Sequence, residues 1–290
     1  MKSGPQRYPG ASTAYWYQTQ FGGDAMESNV VVWHTTEGTS LPDYSGGSVA
    51  PNFTAKPDFA AQRLVWYQHF DFDTSSRALV NQAGGVETNT LNVCQVEIVG
   101  TCDPTTHAKW TKAGYAHLYT PELPDWAIRD LAAFAKWAHD NHGVPLTSGV
   151  TFKAYPGSYG ANGVRMSGSQ WNAFKGHCGH QHVPENDHGD PGLLPVAAIL
   201  TRATGGSMPP TNSTETSMNL QDTVALGDWV TKTWPDDKGV ADKKITVNTA
   251  LGSGYAYARR GAENTDAILK QLEALRTEVA QMRAAVAKGA

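Results

Sequence analysis

Two stretches of the chain are almost wholly apolar, and a third repeats with a helical period. Val30-Val31-Val32-Trp33 and Val93-Cys94-Gln95-Val96-Glu97-Ile98-Val99 are short and rich in β-branched residues, which fits buried strands better than a solvated helix. The two-residue strand period puts Val30, Val32 and His34 on one face of the first, and Val93, Gln95 and Glu97 on one face of the second. A polar group on so apolar a strand needs a partner or a task. From Pro124 to His142 the pattern changes. Ile128, Leu131, Ala135 and Ala138 fall at helical spacing, Asp125 stands near the start, and Gly143 and Pro145 follow the end, which predicts a helix packed on the sheet. Shorter helices are expected over residues 169–175, around Trp171 and Phe174, and over 195–203, where Pro195 suits a first turn. Strands mixed with helices imply an α/β sheet.

Beyond residue 204 the pattern breaks. Residues 205–217 are poor in apolar side chains and rich in Gly, Pro, Ser and Thr, as a flexible linker is. The apolar positions of 218–260 are too scattered to specify an element, so this stretch reads as a small module or a tether. Over 261–288 the order returns. Ile268, Leu272, Leu275, Val279, Met282 and Val286 alternate spacings of four and three, the seam of a short coiled coil, with Glu278 and Arg283 at flanking positions. The helix pairs with a second copy, making a homo-oligomer, or packs back on its own chain.

Charge narrows the field of partners. A formal net charge of -4 without a block of one sign speaks against nucleic acid and against an anionic membrane surface. The first residues lack the apolar core of a secretory signal, and no run reaches the ~20 apolar residues of a membrane anchor; the expectation is a cytosolic protein. Three cysteines, Cys94, Cys102 and Cys178, allow at most one disulfide pair, and a small buried hydrophobe is the ordinary fate of a lone cysteine.

Candidate chemistry is concentrated between residues 179 and 192, Gly-His-Gln-His-Val-Pro-Glu-Asn-Asp-His-Gly-Asp-Pro-Gly. Catalytic zinc takes three protein ligands and keeps a fourth position open. His34, one histidine of the 180 and 182 pair, and Asp190 supply that number. Hydrolysis of an amide also needs a carboxylate to carry a proton and a donor for the oxyanion, and Glu97 and His188 are the natural candidates. Glu37, Trp33 and Tyr44 lie near His34 and read equally well as packing or loop residues.

Val31-Val32-Trp33-His34-Thr35-Thr36-Glu37-Gly38, Val96-Glu97-Ile98-Val99-Gly100 and the 179–192 segment, in this order, resemble the type 2 zinc N-acetylmuramoyl-L-alanine amidases. That family shares the peptidoglycan recognition protein fold and includes many bacteriophage endolysins. The resemblance spans about residues 25–204. It implies a central mixed β-sheet flanked by helices, a catalytic domain at 1–204, Zn2+ held by His34, His180 and Asp190, and Glu97 as the catalytic glutamate. The family's basic residue, often lysine, falls on His188, a departure that makes its donor role depend on protonation. His182 occupies a position the family does not use for metal. The implied substrate is peptidoglycan, cut between N-acetylmuramic acid and L-alanine, by an endolysin that stays in the cytoplasm of the infected host until released to the wall. A prophage or wall-recycling amidase and a non-catalytic peptidoglycan-binding module are the alternatives.

Overall fold

The computed structural model describes residues 4–206 and the backbone of 223–225 and 244–246. The first described element is the single-turn helix α1, Gln18–Phe21. Five strands make one sheet: β1 Val30–Thr35, β2 Phe53–Asp58, β3 Arg63–Gln68, β4 Val93–Ile98 and β5 Gly176–Gly179. Between β4 and β5 run α2 Pro104–Lys112, α3 Asp125–His142 and α4 Gly168–Ala173, and α5 Val196–Ala203 follows. The strand order is β3-β2-β4-β1-β5. β1 is parallel to both β4 and β5, β2 is parallel to β4, and β3 is antiparallel to β2. The sheet is therefore mixed, and the fold is α/β as the sequence predicts.

Every residue of β1 is buried, because both faces of a central strand are covered. Val31 and Trp33 join Val96, Ile98 and Phe53 in a core completed by Leu131, Phe134 and Ala135 of α3 and Ile199 of α5. Phe134 stacks on Trp66 of β3 with ring centroids 4.6 Å apart. Burial of Ala127, Ile128, Leu131, Phe134, Ala135 and Ala138 matches the predicted helical stripe, and Gly143 closes the helix at φ 72°, a left-handed cap where a side chain is disfavoured. On the opposite face Val30, Val32, Val93 and Cys178 pack against Leu79, Met166, Trp171 and Val183. This second core fills only the lower part of its face. His34 and Glu97 stand above it at the C-terminal end of the strands.

The predicted helices at 169–175 and 195–203 form with slightly shifted ends. Pro195 is the cap of α5 rather than its first residue, and a Ser167–Gln170 capping box starts α4. The three cysteines are free and buried. The predicted linker, the 218–260 stretch and the coiled coil of 261–288 lie outside the described residues, except for the last two positions of 204–206 and a short antiparallel pairing of β6 Thr223–Ala225 with β7 Lys244–Thr246. Among the described residues no helix is long and apolar enough to cross a membrane.

A hydrogen-bonded cluster around Asp73 and His142 ties residues 5 and 6 to the end of α3. The Asp73 carboxylate accepts from Ser28 N–H at 3.0 Å, Gln6 Nε2 at 2.8 Å and His142 Nδ1 at 3.1 Å, and His142 Nε2 donates to Pro5 O at 3.0 Å. Asp73→Ala removes the acceptor shared by Ser28 N–H, Gln6 Nε2 and His142 Nδ1 and is expected to destabilise the fold by about 1–3 kcal/mol, read as the shift of a denaturant midpoint. A loss below about 1 kcal/mol would mean that water replaces the carboxylate at little cost.

Candidate metal centre

Three separate segments deliver the site. His34 is the fifth residue of β1, His180 opens a short turn directly after β5, and Asp190 lies on the loop that folds back over that turn. Since β1 and β5 are neighbours and parallel, their C-terminal ends bring the two histidines together. The return of Asp190 depends on Gly179, where an added Cβ would meet Pro191 Cδ at 2.5 Å. Gln181 holds the loop down: its N–H donates to Asp190 O at 3.0 Å and its Nε2 to Gly192 O at 2.7 Å.

His34 Nδ1 and His180 Nδ1 are 3.1 Å apart. Asp190 Oδ2 lies 3.3 Å from His34 Nδ1, and Asp190 Oδ1 lies 3.2 Å from His180 Nδ1. Among the described residues this is the one group of three such donors close enough to share an ion. All three residues are buried. Tetrahedral zinc with bonds of ~2.0–2.1 Å separates neighbouring ligand atoms by about 3.3–3.4 Å, so the triangle has nearly the size the ion requires.

Proton positions argue the same way. His180 Nε2 donates to Asn186 Oδ1 at 3.0 Å, which leaves Nδ1 as a lone pair facing the centre. Asn186 is itself fixed: its Oδ1 accepts from Val80 N–H at 3.1 Å and its Nδ2 donates to Pro184 O at 2.9 Å. Burial, then the neighbouring His180, lower the His34 pKa to about 4 despite the Asp190 carboxylate. Burial would raise the Asp190 pKa, but His180 and His34 beside it hold its carboxyl well below the usual range. His34 Nδ1, His180 Nδ1 and the Asp190 carboxylate thus face one spot, an arrangement a cation stabilises. Two nitrogens and one oxygen are a donor set that suits zinc.

Glu97 is register partner to His34 across the β1–β4 ladder and faces the same way. Burial, then the charges of Asp190 and Glu37, push its carboxyl well above the ordinary 4.5, and its Oε2 has no hydrogen-bond partner among the described residues. On the next strand Thr54 is register partner to Glu97. The Thr54 hydroxyl meets Tyr44 Oη at 2.6 Å and His69 Nε2 at 2.9 Å. A polar row therefore crosses the sheet from His180 through His34 and Glu97 to Tyr44.

His188 stands at the mouth. Its ring stacks on that of His180, with centroids 4.8 Å apart and planes at 9°, and its side chain is 68% exposed with Nδ1 3.8 Å from Asp190 Oδ1. Arg165 steadies both histidine segments by donating to His180 O at 3.2 Å and to His188 O at 3.0 Å.

The other residues singled out in the sequence have structural roles. His182 accepts Gly179 N–H at 2.9 Å and donates to Thr151 O at 3.0 Å, so it braces the turn. Trp33 faces the α3 core. Glu37 accepts from Thr35 Oγ1 at 2.6 Å, from Cys102 N–H at 2.9 Å and from Thr101 Oγ1, pinning the loop after β1. Cys178 packs in the second core. Asn186 and Arg165 were not assigned from the sequence. Asn186 sits inside the 179–192 motif, whereas nothing local marks Arg165.

Asn186→Ala frees the His180 ring to turn and to change tautomer. We expect metal affinity to fall roughly 10–100-fold, measured by competition with a chromophoric chelator. Unchanged affinity would show that ring packing alone orients His180.

No family model matches the chain, and no curated protein matches it. Among solved structures, a mutant structure of PlyL is similar to it at 11% sequence identity over 47% of this chain and 77% of that chain, with a TM-score of 0.31.

Proposed function

We propose that the chain is a zinc-dependent N-acetylmuramoyl-L-alanine amidase that cuts peptidoglycan as a phage-type endolysin does. The observation that carries this reading is the convergence of His34 Nδ1, His180 Nδ1 and the two Asp190 oxygens, Oδ2 at 3.3 Å from His34 and Oδ1 at 3.2 Å from His180, beside a half-buried glutamate on the next strand. His34, His180 and Asp190 would hold the ion. Bound zinc supplies a Lewis acid that polarises a carbonyl and makes water acidic near neutral pH.

The protein's own groups carry the protons. The surroundings of the half-buried Glu97 favour its protonated form, so a proton taken from the attacking water is retained long enough to be returned to the departing amide nitrogen. His188, exposed at the mouth and stacked on His180, is placed to donate to the carbonyl oxygen as it gains charge. Asn186 and Arg165 keep the histidine segments in register, which matters because small displacements of reacting groups cost large factors in rate. Peptidoglycan is the partner in this reading, and release from the host cytoplasm to the wall is its setting.

The test is digestion of purified Gram-positive walls by the zinc-loaded protein, followed by end-group analysis. New L-alanine amino termini without new reducing sugars support the amidase. Walls bound but not cut would favour a recognition module, and new reducing ends would mean a glycosidase.

A further inference from the structure

A second site lies away from the metal centre, towards the N-terminal ends of β1 and β4. There a cleft of about 520 Å³ is lined by Phe21, Asp24, Ser76, Arg77, Asn81 and Thr90 among others. None of the metal ligands, nor Glu97, borders it. Its size lies within the range of ~300–1,000 Å³ usual for small-molecule sites.

The walls are held by internal bonds. Asp24 N–H donates to Ser75 Oγ at 2.8 Å, and Ser75 N–H donates to Asp24 O at 2.9 Å. Arg77 N–H donates to Ala50 O at 2.9 Å, and its Nε donates to Ser48 O at 2.9 Å. Asn81 Oδ1 accepts from Thr88 N–H at 2.8 Å and Asn89 N–H at 3.1 Å, so its amide nitrogen keeps its donors available.

What these bonds leave over defines the ligand. The Asp24 carboxylate has no ion pair among the described residues, and the two terminal nitrogens of Arg77 have no hydrogen bond there. The two opposite charges line one cleft without pairing with each other. Ser76 is 4% exposed and its hydroxyl lacks a partner, which is costly unless a ligand supplies one. The Phe21 ring is approached by the Arg77 guanidinium carbon at 5.3 Å, so it serves the arginine rather than offering a free stacking platform for a sugar.

We propose that this cleft binds a short zwitterionic peptide. Its terminal carboxylate meets the Arg77 fork and the Ser76 hydroxyl, its ammonium meets Asp24, and the Asn81 amide donates to the peptide carbonyl between them. Guanidinium–carboxylate bonds are charge-assisted and bidentate, which sets the carboxylate end. The proposal stands independently of the hydrolytic reading, and wall peptides are one source of such a ligand.

The test is amide chemical-shift titration of the full-length zinc-loaded protein with D-alanyl-D-alanine, its N-acetyl form, its C-terminal amide and free L-alanine. Saturable shifts at Asp24, Ser76 and Arg77 are expected with the dipeptide. Blocking either end should weaken binding about tenfold or more. Arg77→Met should remove the preference for the free carboxylate over the amide, and Asp24→Asn the preference for the free amine over the N-acetyl form. Tighter binding of L-alanine than of the dipeptide would overturn the peptide assignment. Blocked and free dipeptides binding equally, no saturation at millimolar concentration, or shifts confined to His34, His180 and Asp190 would each overturn the site. Wall digestion is read separately, so failure here leaves the amidase reading untouched, and the reverse also holds.

Discussion

Asp190→Ala is expected to lose bound zinc and to abolish wall hydrolysis, with activity falling by roughly a thousandfold or more. Asp190 is the anionic member of the donor set. Without it, two neutral imidazole nitrogens 3.1 Å apart must hold a divalent cation in a buried position, where an uncompensated charge is strongly disfavoured. The loss should therefore exceed the ~10–100-fold expected when an outer partner such as Asn186 is removed. The same carboxylate accepts Thr35 N–H at 3.3 Å, so metal-free protein should also lose about 1–3 kcal/mol of stability. Asp190→Asn separates the effects, since an amide keeps an acceptor for Thr35 but not the charge. Metal content after dialysis, paired with amine release from walls, checks both. A variant that keeps one tightly held zinc per chain would remove Asp190 from the ligand set and with it the proposed geometry.

The parts of this architecture that were legible in the sequence share a feature: their signal lies within a few neighbouring residues. The apolar run at 30–33 starts β1 and that at 93–99 contains β4; strand parity grouped His34 with Val30 and Val32, and Glu97 with Val93 and Gln95, and the strand register then set both groups on one side. The stripe of α3 and its Gly143 stop were equally local. β2 and β3 were not read, because Lys56-Pro57-Asp58 and Arg63 break the apolar pattern and their burial comes from α3, far along the chain. α2 went unread although Asp103 caps it, accepting from Thr105 N–H at 2.9 Å, and Pro104 follows in its first turn. An Asp-Pro-Thr-Thr start is a usable signal, but α2 has no buried face to give an apolar stripe. In the site, the candidate ligands were marked by their motifs. The supports were not, because Arg165 acts through backbone carbonyls that carry no sequence identity, and Val80 meets Asn186 across 106 positions. The cleft around Arg77 was missed for the same reason, its charges being more than fifty residues apart.

Glu97→Gln should lower hydrolysis by roughly 10²–10⁴-fold while zinc stays bound, since Glu97 lies beside the donor triangle without belonging to it. The variant's stability gives a second, opposite readout. Burial and the charges of Asp190 and Glu37 raise the Glu97 pKa in the folded protein. The folded state therefore holds this proton more tightly than the unfolded chain. Its contribution is full below the unfolded value near 4.5 and is lost as pH rises through the folded value. The Glu97 contribution to metal-free wild type should accordingly fall as pH rises above about 4.5, and Glu97→Gln should remove that part of the pH dependence. Thermal unfolding of chelator-treated protein across pH, beside wall digestion by the zinc-loaded form, measures the two. A merely structural glutamate would show the stability change with activity intact. Activity lost together with zinc would instead make Glu97 part of the ion's binding. Only the combination of a stable, zinc-loaded and inactive variant fits a carboxylate whose unfavourable burial is retained because it moves the proton.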